Sequence, residues 1–155
     1  MNTQSNNPRE SLELRIRQLR VLWLALLGSL AGFFGLTLFT GPPEIAEPNN
    51  TVLLIFVAIG LTTTLVSFFV KKRFFDRAVE QQQVELVQQG LVVAGMLTEV
   101  AAMLGMVEYF RTGNPYYYVL FIIAACGQLL HFPRREPVFN ASFREKADST
   151  VGYGL

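Results

Sequence analysis

Histidine and cysteine are almost missing from this sequence, with one of each, His131 and Cys126, in 155 residues. A single cysteine excludes an internal disulfide, and within an apolar run it reads as a small packing residue. One histidine excludes a bis-histidine haem site or a multi-histidine metal centre made by this chain alone. Beside Pro133 and two arginines, His131 reads as an interfacial residue, the alternative being a pigment or haem ligand shared with another subunit. No Ser/His/Asp set, glycine-rich phosphate loop or polar catalytic domain is present. Neither enzymatic activity, a cofactor nor a metal is therefore expected. Charge is scarce too: Asp, Glu, Lys and Arg make up 16% of the chain, against about 25% in soluble domains. A net charge of +1 supplies no bulk field for nucleic acid.

What is present is apolar and unevenly arranged. Residues 21–43, 48–70 and 112–133 contain no Asp, Glu, Lys or Arg, and Glu99 alone interrupts 86–107. Four spans are expected, at 21–39, 52–70, 90–107 and 116–132. Each comes close to the ~20 apolar residues that cross ~30 Å of hydrocarbon, with snorkelling or local thinning serving the two shorter ones. A soluble four-helix bundle would show a polar face on each helix, and "VLWLALLGSLAGFFGLTLF" shows none. The fold class expected is an all-α integral membrane bundle of four helices.

Lysine and arginine set its orientation. Counting along the five hydrophilic segments gives 4, 0, 4, 1 and 4. This pattern places both termini on the cytoplasmic side. The 19-residue first span exceeds the 7–15 residues of a signal-peptide core, and "LFTGPPEIAEP" lacks a small-x-small cleavage site. It is read as an uncleaved anchor, in a chain compatible with a bacterial inner membrane.

Residues 1–20 form a cytoplasmic tail, disordered over 1–7. It then becomes an amphipathic helix leading into the first span, interfacial or simply a solvated helix start, capped at Asn7, with Pro8 in the first turn, Glu10 as the capping-box acid, and Leu12, Ile16 and Leu19 on one face. Gly28 and Gly32 make a GxxxG pair in the first span, with Gly35 one turn on, a pattern that admits another helix backbone. "TGPPEIAEPNN" is an external loop. The sequons at Asn49 and Asn140 are discounted, the first for abutting the membrane and the second for lying inside. No Gly or Pro occurs from Leu61 to Gln89, so the second and third spans should continue into a cytoplasmic helical hairpin turning near Glu80–Gln83. "YYY" (Tyr116–Tyr118) forms an aromatic belt, and residues 133–155 read as a flexible cytoplasmic tail.

The odd residue is Glu99, nine residues from the start of its span and eight from its end. At 1.5 Å per residue it falls near the midplane, where an ionisable side chain costs about 2.5–3.5 kcal/mol and by default marks function. No cation lies at that depth, and desolvation favours the uncharged acid. Its expected partners are Ser29, the threonines Thr62, Thr63 and Thr64, and Gln128. Gly95 and Ala102 flank it, with Thr98 beside it and Gly105 further on. Small neighbours direct a polar group at another helix rather than at lipid. Three roles follow for Glu99: an uncharged interhelical hydrogen-bond donor, a proton or cation carrier, or a partner for a basic residue of another subunit. Glu108 and Arg111 read as rim charges.

"LTEVAAMLGMV" resembles the carboxylate helix of the c-type proteolipids of rotary ATPases, in which a Glu is followed six residues later by Gly and then an apolar pair. The resemblance covers about residues 88–108 and includes helix direction, from the cytoplasm outward after a hairpin. It implies that Glu99 binds a proton and that Gly105 is a packing glycine. The sequence departs from the family elsewhere. Residues 52–70 hold only Gly60, the polar-loop Arg-Gln/Asn-Pro-Glu motif is absent, and the acid lies on the third helix rather than the last.

The function expected first is that of a non-enzymatic accessory or scaffold subunit. It would meet other membrane subunits or itself through Gly28/Gly32 and the Gly95–Glu99–Ala102 face, with anionic lipids at its cytoplasmic rim. A proton- or ion-conducting oligomer using Glu99 comes second, and a small oligomeric transporter third.

Overall fold

The computed structural model describes residues 8–41, 50–136 and 138–139, with side chains from residue 13 onward. Four helices follow in order: α1 (Pro8–Phe39), α2 (Asn50–Gln81), α3 (Val84–Thr112) and α4 (Tyr118–Leu130), the last entered through a 3-10 turn at Pro115–Tyr117. No strand occurs among the described residues. The expectations for residues 1–7, for the cap at Asn7, for the side chains of Glu10 and Leu12, for the loop at 42–49, for both sequon asparagines and for the tail beyond 139 lie outside the described residues.

Three helical stretches are long and apolar enough to cross a membrane: Glu13–Phe39, Asn50–Gln81 and Val84–Thr112. The fourth expected span, 116–132, is shorter in structure, a three-residue 3-10 turn and a 13-residue helix. Together these reach about 25 Å. Asn114 starts this segment by accepting a hydrogen bond from the Tyr116 amide at 3.0 Å through its side chain, with Pro115 at the position where a missing N–H costs nothing.

α2 and α3 form a helical hairpin whose turn falls at Gln82–Gln83, within the region expected. Gln82 has φ 52°, a left-handed conformation costing a side-chain-bearing residue on the order of 1–3 kcal/mol. The Gln83 amide donating to the Ala78 carbonyl at 3.1 Å helps hold it there. Glycine takes the equivalent left-handed position at the other end of α3, where Gly113 (φ 59°) caps the helix by donating to Tyr109 O.

The amphipathic start of the chain leads into the first span as one helix, α1. The described residues of its apolar face are covered within the chain rather than by lipid: Ile16 and Leu19, with Trp23, cluster with Ala78, Val87 and Leu91 at the turn end of the hairpin. The expectation of a free tail from residue 133 fails at Val138, which is fully buried in the same cluster.

α3 is the central helix. Val87, Leu91, Ala94, Thr98, Ala101, Gly105, Glu108 and Thr112 are all buried. Their alternating four- and three-residue spacing is the 3.5 repeat that keeps one stripe against neighbouring helices. The stripe is mostly small, which allows close approach. A Cβ placed on Gly60 of α2 would stand 3.0 Å from Ala101 Cβ, and one on Gly105 would stand 3.0 Å from Leu120 Cβ.

Candidate functional site

One polar layer crosses the interior with a contribution from every helix. Trp23 (α1), Thr64 and Ser67 (α2), Thr98 (α3), and Gln128 with His131 (α4 and its cap) are all buried. Trp23 Nε1 donates to the Gln128 carbonyl at 2.8 Å, and Thr98 Oγ1 lies 2.8 Å from Gln128 Oε1. Gly127 makes room for this contact: a Cβ there would lie 2.8 Å from the methyls of both Thr64 and Thr98. Ser67 Oγ is 2.7 Å from His131 Nε2, and the Phe68 ring covers the imidazole at 4.6 Å between centroids.

Proton counting shows that this layer is not closed. Ser67 has one hydroxyl proton and sits 2.6 Å from the Thr64 carbonyl. If that proton goes to the carbonyl, His131 Nε2–H donates to Ser67 and Nδ1 keeps a bare lone pair; the opposite tautomer leaves an N–H unpaired. Thr98 likewise divides one proton between Gly95 O at 2.7 Å and Gln128, so one end of the Gln128 amide stays unpaired whichever way it is turned. Thr64 Oγ1, Gln128 Nε2 and His131 Nδ1 are buried without partners. Such groups cost about 1–3 kcal/mol each unless something satisfies them.

Glu99 lies beside this layer rather than in it. It is half-buried, and its Oε1 is hydrogen-bonded to Ser29 Oγ of α1. Thr63, expected near it, bonds instead to Gly60 O of its own helix at 3.0 Å, and Gln128 pairs with Thr98. The Gly95–Glu99–Ala102 face proposed for partners is largely covered within the chain. Ala102 is fully buried beside Leu30 and Phe121, and a Cβ on Gly95 would meet Leu26 Cδ1 at 2.5 Å. Gly28 and Gly32 behave oppositely: nothing lies within 4 Å of a Cβ at either, nor at Gly35.

Two side chains taken for rim groups are interior. His131 is 0% exposed. The three-residue spacings Thr64–Ser67 and Gln128–His131 carried that signal, since such pairs share a helix face. Glu108 is also 0% exposed. It falls on the buried stripe of α3, accepts from Thr112 Oγ1 at 2.8 Å through Oε1, and leaves Oε2 without a partner. Asn114 and Asn50 close the same end through an Nδ2-to-Oδ1 bond of 3.3 Å.

At the hairpin end, Arg15 Nη1 donates to Glu85 Oε1 at 3.1 Å, across an exposed pair. The Glu85 carboxyl is held below its ordinary 4.5, first by its own backbone amide at the start of α3 and next by Arg15. Among the described residues no group of three His, Cys, Asp or Glu side chains could hold a metal ion. Chemically the arrangement offers hydrogen bonding at single buried residues. Comparison with protein-family models, curated proteins and solved structures finds no match for this chain.

Proposed function

We propose that this chain is a non-enzymatic, four-span membrane protein with both termini cytoplasmic, and that it serves as an accessory or scaffold subunit by packing α1 against another membrane helix. One observation carries the reading. A Cβ on any helical glycine of α2, α3 or α4 would stand 2.5–3.0 Å from a neighbouring atom, whereas the three of α1 face open space. Glycine spacing of this kind suits close backbone contact between membrane helices, and no such contact is made among the described residues. α1 is also the least covered of the three long helices. Because nothing stands near Gly32, Gly32→Ile should leave the fold intact while removing a partner from gently extracted protein. Co-purification of the same partner with both forms would overturn the reading.

A second reading gives Glu99 a proton-carrying role, and its half-exposure favours that. The Ser29 contacts favour a structural role. Ser29 Oγ also lies 2.8 Å from Leu26 O, so its single hydroxyl proton is shared between that carbonyl and Glu99 Oε1. Glu99→Gln retains a donor and should preserve assembly; assembly retained with proton flux abolished would favour conduction.

A further inference from the structure

The seam between α1 and α4 combines two features that neither the core nor the glycine face explains. At its inner end, past the last residue of α4, a hollow of about 390 Å³ is lined by Arg17, Arg20 and Arg135 together with Glu13, Leu14 and Ile16. The only ion pair among the described residues is Arg15–Glu85, so the hollow holds three arginines without an ion-pair partner there against the one carboxylate of Glu13. Further along the same seam lies a groove of about 440 Å³, lined entirely by apolar and aromatic side chains that include Leu27, Ala31, Phe34, Phe121, Ile122 and Ala125. The register of the seam is fixed at two points. Trp23 meets Phe132 edge-on with centroids 5.2 Å apart, and Phe34 meets Phe121 at the same separation. Arg20, Leu24, Leu27 and Ala31 follow one another along one flank of α1, and from Arg20 to Ala31 is about 16 Å. That offset carries a ligand from the headgroup level into the hydrocarbon.

We infer that the α1–α4 seam is a binding site for one anionic glycerophospholipid, its phosphate in the Arg17/Arg20/Arg135 hollow and one acyl chain in the apolar groove. Charge and polarity select this occupant. A free anion fills only the hollow, and a zwitterionic lipid brings its own cation against three arginines. Arginine suits the role because its planar fork binds phosphate oxygens in pairs, and basic pockets between helices at a membrane surface are places where anionic headgroups bind. The apolar groove lies on a different flank of α1 from the open glycines, and the site needs only that the chain lie in a bilayer.

The test is native mass spectrometry and thermal melting of the full-length chain in detergent, titrated with phosphatidylglycerol, phosphatidylcholine or free glycerol phosphate. Phosphatidylglycerol should bind at one per chain and raise the melting temperature; the other two should do neither. At about fivefold in affinity for each arginine, R135Q should weaken binding about fivefold and R17Q/R20Q/R135Q on the order of 100-fold. The exposed triple K72Q/R73Q/R77Q should leave binding unchanged. Ala125→Leu, which fills the groove, should weaken binding while keeping the charge. Equal binding of both lipids would overturn the inference, as would stabilisation by glycerol phosphate alone or equal losses in the two triples.

Discussion

The glycines of α1 and those of α3 look alike in the sequence and are used in opposite ways. Gly90 and Gly105 each stand where a methyl group would strike a neighbour, at 2.6 Å from Phe74 Cβ and 3.0 Å from Leu120 Cβ. Gly28, Gly32 and Gly35 have nothing beside them. A glycine in a membrane helix therefore says that a backbone is meant to come close, and its surroundings say whose. In α3 the approaching elements belong to this chain. In α1 they are absent among the described residues, because Ile16, Leu19, Trp23, Leu30 and Thr37 hold the opposite face against the bundle.

The largest effects should come from filling the occupied glycines. Gly90→Ala and Gly127→Ala should each destabilise the chain by about 1–3 kcal/mol in denaturant unfolding from detergent micelles. The atoms they strike are Phe74 Cβ and two stiff threonine methyls, which cannot swing aside. Gly95→Ala should cost less, since the atom it meets is the mobile end of Leu26. If Gly90→Ala and Gly28→Ala proved equally harmless, the contrast between the two helices would be lost.

Next in size is the turn of the hairpin. Gln82→Gly relieves a left-handed side-chain-bearing residue and should stabilise by about 1 kcal/mol; a loss of stability would mean that the turn is held by its side chain. Glu99→Leu should loosen α1 from α3 by about 0.6–1.7 kcal/mol, the range for one interhelical hydrogen bond in a membrane, with Glu99→Gln keeping most of it. Identical stabilities for the two variants would remove Glu99 from the α1–α3 contact.

The smallest effect concerns pH. The Glu85 carboxyl is lowered in the folded chain, so its contribution is present above the unfolded value near 4.5 and is lost as pH falls through the lower folded value. Both partners are substantially exposed, so Arg15→Gln should change stability at pH 7 by well under 1 kcal/mol and flatten its acid dependence. An effect above 1 kcal/mol would show that this end of the bundle depends on charge.

Helix content, the three long apolar stretches and the hairpin turn were legible in charge gaps and in the lack of Gly and Pro between Leu61 and Gln89. The interior was less so. Glu108 looks like a rim charge when a span is bounded at 107 by composition; following the 3.5 spacing from Val87 through Gly105 lands on it. His131 was hidden by its neighbours, since Pro133, Arg134 and Arg135 describe the surface while its three-residue offset from Gln128 describes the core. Ser29 could be named as a partner for Glu99 from depth alone. Depth could not choose between Thr63 and Thr64, because that choice is one of helix rotation. Composition also could not separate the open glycines from the filled ones, because the difference lies in what the other helices bring near.

Native mass spectrometry of wild-type and Gly32→Ile protein, gently extracted from its own membrane, tests the central claim most directly. The wild-type chain should carry a partner at fixed stoichiometry, whether unrelated subunits or further copies of itself, and the variant should appear as a folded monomer. The same assembly in both forms, or a lone monomer in both, would contradict a role for α1 in joining this chain to others.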